Sequence, residues 1–213
     1  GRLYVGICAP GKGAQTPLVR IYSSLLQTPW MRREKGVDDS EIDGYWTLVG
    51  YFNAVRELAG AVALLRQDIP QRLMTLFRTD ARPLPVEPLE LSSRKDSMEL
   101  PGLLDTLEKK LDTTNSAADI VLSTSMFGTG VDVDRLKLMV VNGQPKSTAS
   151  YIQATGRVGR SGGGLVVTFF RASRPRDLAH YEFFTGYHRS IYKHVEPVTV
   201  APFSPRCRER SIG

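Results

Sequence analysis

Residues 123–160 read STSMFGTGVDVDRLKLMVVNGQPKSTASYIQATGRVGR, and the order of features along this stretch decides the fold. A short apolar strand candidate, Ile120-Val121-Leu122, runs into a glycine turn, Gly128-Thr129-Gly130-Val131-Asp132. A second apolar run, Leu138–Val141, follows. The stretch closes on Gln153-Ala154-Thr155-Gly156-Arg157-Val158-Gly159-Arg160, which sets two guanidinium groups three residues apart on a turn loosened by glycine. Arginine is always charged and its planar fork matches phosphate oxygens, so the pair suits charge developing on a transferring phosphoryl group. An isolated R-x-x-R reads as a solvated basic turn. The glycine turn upstream, with a strand between, is what gives this pair its meaning.

Working outward, strand and helix candidates alternate. Leu3–Ala9 reads as a strand and Thr16–Gln27 as a helix, with Thr16 as N-cap and Pro17 as its first residue. Residues 29–44 are charged and read as a loop, and Tyr45–Phe52 reads as a strand. Ala54–Gln67 has Val55, Leu58, Ala59, Val62 and Leu65 at helical spacing, and Arg72–Thr79 reads as a short strand. Asp80–Glu90 holds three prolines and reads as irregular. Glu99–Leu111, Ser147–Thr155 and Arg176–Tyr192 read as helices, Asp119–Ser123, Lys137–Val141 and Leu165–Phe170 as strands, and 197–213 as a tail. Such alternation predicts an α/β domain in three layers, with a mostly parallel central sheet covered on both faces.

The chain has 213 residues, 41% hydrophobic and 23% charged, enough to bury a core and outside the disordered range. Its 28 Lys and Arg against 22 Asp and Glu give +6, compatible with a polyanionic partner without requiring one. The two cysteines, Cys8 and Cys207, belong to no metal-ligand cluster. Cys8 lies in an apolar run and reads as a buried thiol, and a reducing, cytoplasmic setting is the default expectation. No apolar run is long enough to span a bilayer. Gly1-Arg2 leads directly into Leu3-Tyr4-Val5-Gly6-Ile7, so the chain reads as a piece of something longer.

No G-x-x-x-x-G-K-[ST] phosphate loop occurs in the sequence. Gly11-Lys12-Gly13 lacks both the spaced glycine and the hydroxyl residue after lysine, and reads as a flexible turn. An acidic magnesium-binding cluster after a strand is also missing. Half of an ATP site is written here.

The paired signal resembles motifs V (Thr124–Leu136) and VI (Gln153–Arg160) of superfamily 2 helicases, on their second RecA-like domain. Tyr51-Phe52-Asn53 with Arg56-Glu57-Leu58 resembles motif IV, and Ser92-Ser93-Arg94 the S-R motif that follows it. Beyond the motifs, Arg174–Glu182, Tyr187-His188 and Val195-Glu196-Pro197-Val198 are similar to the large helicase of the DISARM phage-defence system. The resemblance implies a RecA-like domain at 45–172, preceded at 1–44 by a leading strand, helix and charged loop and followed at 173–213 by a helical extension and tail. It implies ATP and Mg2+ as cofactors, both held mainly by a preceding first RecA-like domain of the same polypeptide. It implies nucleic acid, DNA foremost, as partner, with other defence-system subunits possible and no membrane.

Residue by residue, the resemblance makes Arg160 the arginine finger and Arg157 the second phosphate-contacting arginine. Gln153 would couple nucleotide to nucleic acid, and Asp132, beside Gly130 at the nucleotide, would meet the ribose or a motif VI arginine. Ser93, Arg94, Thr124, Gly128, Thr129 and Asn53 would contact nucleic acid; glycine turns expose N–H donors that bind phosphates without reading bases. Other roles compete. Gly128 and Gly130 also serve a simple turn, Asp132 a turn or cap, and Arg56 and Arg94 a solvated surface. Phe52, Phe169 and Phe170 read as core, and His180 and His188 as packing or surface residues. The residues point to the second motor domain of an ATP-dependent helicase or translocase. A non-catalytic nucleic-acid-binding or scaffolding module is the alternative, and the complete Q-x-x-G-R-x-G-R argues against it. A nuclease-type partner domain finds no clustered Asp, Glu and Lys at metal-site spacing.

Overall fold

The computed structural model describes residues 1–92, 97–112, 114, 117–124 and 132–196. Their strands are β1 (Arg2–Cys8), β2 (Leu48–Phe52), β3 (Leu89–Leu91), β4 (Ile120–Ser123), β5 (Leu138–Asn142) and β6 (Gly164–Phe170). They form one sheet in the order β1-β6-β5-β2-β4-β3, every pairing parallel. The helices are α1 (Gln15–Glu34), α2 (Asp39–Trp46), α3 (Val55–Arg66), α4 (Asp68–Phe77), α5 (Leu100–Glu108), α6 (Thr148–Thr155), α7 (Pro175–Glu182) and α8 (Phe184–Arg189).

Period-two alternation sends side chains of each strand to opposite layers. Leu48, Phe52, Leu122, Leu138, Val140, Val167 and Phe169 meet Leu18, Tyr22 and Leu26 of α1, Leu58 and Leu65 of α3, and Ile69 and Leu73 of α4. On the other face Val49, Tyr51, Val121, Met139, Val141 and Val166 meet Leu107 of α5, Tyr151 and Ala154 of α6 and Tyr187 of α8. Both faces being covered explains the unbroken apolar runs. Phe52, Phe169 and Phe170 are core, as their strand positions predict. β1 pairs along its whole length with β6, so the leading segment is built into the same sheet.

Several local expectations are corrected. The charged stretch 29–44 is the end of α1 and most of α2, not a loop. Pro29 is buried inside α1, where it removes one backbone donor without ending the helix. Arg32 and Arg33 favour its carboxyl end. Asp38 caps α2 by accepting from the Ser40 N–H at 2.8 Å, while Ile42 and Trp46 bury against Leu111 and Ala117. Only one narrow face of these helices is apolar, which is why their periodicity escapes a composition reading. For the same reason Tyr45 and Trp46 close α2 and the strand starts at Leu48. Arg72–Thr79 is not a strand: Arg72–Phe77 belongs to α4, held by Ile69 and Leu73 one turn apart, and Pro70 sits in its first turn where no N–H is needed. The irregular stretch ends early, at β3. α1 starts at Gln15 after Ala14, without a side-chain cap from Thr16, and the 176–192 helix breaks at Phe183. Cys8 is half-buried rather than buried.

Arg82 clips the layers together. Its side chain is 0% exposed and donates to Leu26 O at 2.9 Å, Trp46 O at 3.2 Å and Asp119 Oδ1 at 2.5 Å, with its guanidinium carbon 3.9 Å from the Trp46 ring centre. Burial pulls this arginine below its usual range, and Asp119 opposes the shift.

Candidate functional site

The paired arginines follow α6. Ser147 caps that helix by accepting from the Ser150 N–H at 3.1 Å. After Thr155 the chain turns tightly: Arg157 N donates to Ala154 O at 3.2 Å, and Val158 drops its side chain wholly into the core. Gly159 takes φ +65 and donates its N–H to Leu136 O at 2.7 Å, tying the turn to the amino end of β5. A Cβ there would stand 2.5 Å from Gly164 Cα, so only glycine fits. Gln153 and Arg160 are exposed and Arg157 is half-buried.

Arg160 pairs with Asp132, their side chains 33% and 60% exposed, and its Nε donates to Gly156 O at 3.3 Å. The carboxylate of motif V and the second arginine of motif VI therefore meet, 28 residues apart in sequence. Three residues after Asp132, Arg135 is anchored, donating to Asp43 Oδ1 at 3.2 Å, Thr47 Oγ1 at 2.8 Å and Leu107 O at 3.2 Å. Arg135 is pulled down by burial and raised again by Asp43.

Sequence reading missed Arg2. Its Nε donates to Val158 O at 2.6 Å and its Nη2 to Gly156 O at 3.0 Å, gripping the carbonyls on either side of Arg157. A lone arginine opening a strand carries no signal of this, because its partners lie 154 and 156 residues away.

Two of the other expected contact residues, Asn53 and Thr124, sit at the opposite end of the strands, a strand length of about 15 Å away. Asn53 follows β2 and its Nδ2 donates to Asn142 O at 3.2 Å and Gly143 O at 3.1 Å, so that amide nitrogen fixes the turn after β5. Thr124 follows β4 and is buried, with its N–H on Leu91 O at 3.2 Å. Ser93, Arg94, Gly128, Thr129 and Gly130 lie outside the described residues. In sequence, 125–131 links Thr124 at one edge to Asp132 at the other. The carboxyl edge also carries cations the motifs did not flag. Arg171 and Arg174 pair with Glu57, and Arg176 donates to Pro145 O at 2.6 Å and Lys146 O at 2.5 Å. Among the described residues no group of His, Cys, Asp or Glu is arranged to hold a metal, and no helix is long and apolar enough to cross a membrane.

Comparison with known proteins bears on the fold and the family. The helicase conserved C-terminal domain matches residues 104–162. The chain is 47% identical to DISARM protein DrmA of Bacillus paralicheniformis over 99% of its own length, and spans 19% of that protein. The structure of the DUF1998 helicase MrfA bound to DNA and AMPPNP superposes with a TM-score of 0.65 at 17% identity, covering 97% of this chain and 25% of MrfA. Mycobacterium smegmatis helicase Lhr, bound to ssDNA and AMP-PNP, superposes with a TM-score of 0.58 at 13% identity, covering 94% of this chain and 23% of Lhr. The chain thus spans about a fifth to a quarter of these relatives. With the six-stranded parallel sheet and the joined motifs V and VI, this makes the chain the C-terminal, second RecA-like domain of a superfamily 2 helicase.

Proposed function

We propose that this domain is the second motor half of an ATP-dependent DNA helicase or translocase, acting in bacterial phage defence in the cytoplasm. The observation that carries the reading is Arg160, an exposed guanidinium paired with Asp132 on a turn that Gly159 and Arg2 hold rigidly. That arrangement fits one wall of an ATP cleft. Asp132 keeps the fork oriented without burying it, and Arg157 stands one turn of chain away. The phosphate loop, the magnesium carboxylates and the water-activating acid would come from the first RecA-like domain, and magnesium when bound would neutralise phosphate charge. Arg160 brings a planar fork of N–H donors to charge that grows only as the phosphoryl group transfers. An arginine finger is worth roughly 10³–10⁵ in rate. Gln153 faces solvent one turn before Arg157, suited to passing the state of the cleft along α6. Asn53 and Thr124 belong to the strand-tracking edge, and Ser93 and Arg94 would contact the tracked strand. MrfA and Lhr carry DNA in their solved structures, and DrmA is a DISARM protein, which supports DNA and defence as the setting.

The test is phosphate release by the intact protein with and without DNA. Arg160→Ala should lower turnover by about 10³-fold. Arg160→Lys should recover little, because lysine keeps the charge and loses the fork. Nucleotide affinity should change far less than turnover. A lysine variant near wild-type turnover would refute the arginine-finger role. The isolated chain, without a phosphate loop, should not hydrolyse ATP.

A further inference from the structure

Among the described residues after β6, Tyr187, His188 and Glu196 close onto α6, the helix that leads into the arginine turn. Glu196 reaches the start of α6, where both carboxylate oxygens accept from the Thr148 N–H at 3.0 and 2.9 Å and Oε1 also from the Thr148 hydroxyl at 3.3 Å. A negative charge at a helix amino end meets unpaired N–H groups and the positive end of the macrodipole. These bonds hold the Glu196 carboxyl below its ordinary range. Tyr187, nearly buried, donates to the same Thr148 hydroxyl at 3.3 Å and accepts from Gln144 Nε2 at 3.2 Å.

His188 holds the middle of the helix. Its Nδ1 is 2.8 Å from Phe184 O, which only accepts, so Nδ1 carries the proton and Nε2 is the acceptor. The wholly buried Tyr151 therefore donates its hydroxyl to His188 Nε2 at 3.0 Å and accepts from Thr168 Oγ1 at 3.1 Å. One contact set fixes where α6 begins and the other fixes its rotation about its axis.

We infer that Glu196 and His188 are positioning residues for Arg157 and Arg160: the C-terminal extension is a brace that sets how α6 presents the arginine turn. The inference rests on the proposed role of those arginines. α6 is eight residues long, and at 1.5 Å per residue a tilt of about 10° about its amino end moves its far end by about 2 Å. Reacting groups must be held within about 0.5 Å. The brace acts on the arginines through α6, by bonds to Thr148 and Tyr151, so its loss should appear in kcat and spare KM.

The experiment measures DNA-stimulated ATP hydrolysis by the intact protein for Glu196→Ala, Glu196→Gln, His188→Phe and, as reference, Arg160→Ala. Glu196→Ala and His188→Phe should each lower kcat about 10-fold with KM within about 2-fold, since a displacement near 1 Å costs up to about 100-fold. Glu196→Gln keeps a neutral acceptor for one bond and should fall between. If both alanine and phenylalanine variants turn over like wild type while Arg160→Ala is inactive, the brace is refuted and the arginine reading stands. If kcat falls only together with a rise in KM and a lowered unfolding midpoint, the contacts are merely structural and the inference fails. An active Arg160→Ala would overturn the arginine reading, and the brace with it.

Discussion

Gly159→Ala tests whether the arginine turn must be where it is. The added methyl carbon would stand 2.5 Å from Gly164 Cα and 2.8 Å from Gly164 N. Both are backbone atoms of β6, paired on one side to β5 and on the other to β1, so they cannot swing aside. Ordinary carbon contact is about 3.5 Å, so the turn must retreat by about 1 Å. That retreat lengthens the 2.7 Å bond from Gly159 N to Leu136 O and carries Arg160 away from Asp132. Left-handed backbone at φ +65 adds about 1–2 kcal/mol of strain for alanine. With the hydrogen bond, worth about 1 kcal/mol, the total is about 2–3 kcal/mol. A domain of ordinary stability, about 5–15 kcal/mol, survives this. Catalysis should not survive it equally well, since a misplacement of about 1 Å costs about 100-fold. Gly162→Ala is the control. Its φ is +98 but nothing lies within 4 Å of the added carbon, so it carries the strain without the collision. The assay is steady-state ATP hydrolysis by the intact protein, paired with thermal unfolding. Gly159→Ala within about 3-fold of wild-type turnover would show that the turn tolerates an ångström of movement, and the positional reasoning would fail.

Three further outcomes are expected. Arg2→Ala removes both grips on the carbonyls flanking Arg157 and should lower kcat of the intact protein about 10-fold with little change in KM; unchanged turnover would make Arg2 a packing residue. His180 and His188 are both held below 6.5 by burial, so the folded chain binds fewer protons than the unfolded one. Stability should be whole above about pH 6.5 and decline as pH falls through that value toward the depressed folded ones, and His188→Phe should flatten the decline in unfolding midpoint between about pH 7 and 5.5. Binding of single-stranded DNA by the intact protein should weaken with salt at roughly −0.7 per phosphate contact and without base preference, Arg94→Ala reducing the slope by less than one unit; salt-insensitive binding would contradict a phosphate track.

The sequence by itself determined the strands that flank the arginines and suggested the chemistry proposed for them. Leu138–Val141 and Leu165–Phe170 are apolar on both faces, which only a covered sheet explains, and Q-x-x-G-R-x-G-R takes its reading from the glycine turn and strand just upstream. Signals of that kind lie within one short stretch of sequence. Residues 29–44 and 72–77 were misread because their helices bury only a narrow stripe, so burial rather than composition defines them. The pairing of Asp132 with Arg160 was legible only through the motif resemblance, as one of two partners it allowed; the geometry chose the arginine. Arg2, Tyr187, His188 and Glu196 could not be assigned by spacing at all. Their partners on α6 and its turn lie between 37 and 156 residues away, and only the parallel order of the sheet and the docking of α7 and α8 bring them there. A hydrogen bond is chosen by distance in space, and chain closure between such remote residues is set by the whole packed core rather than by any local stretch of sequence.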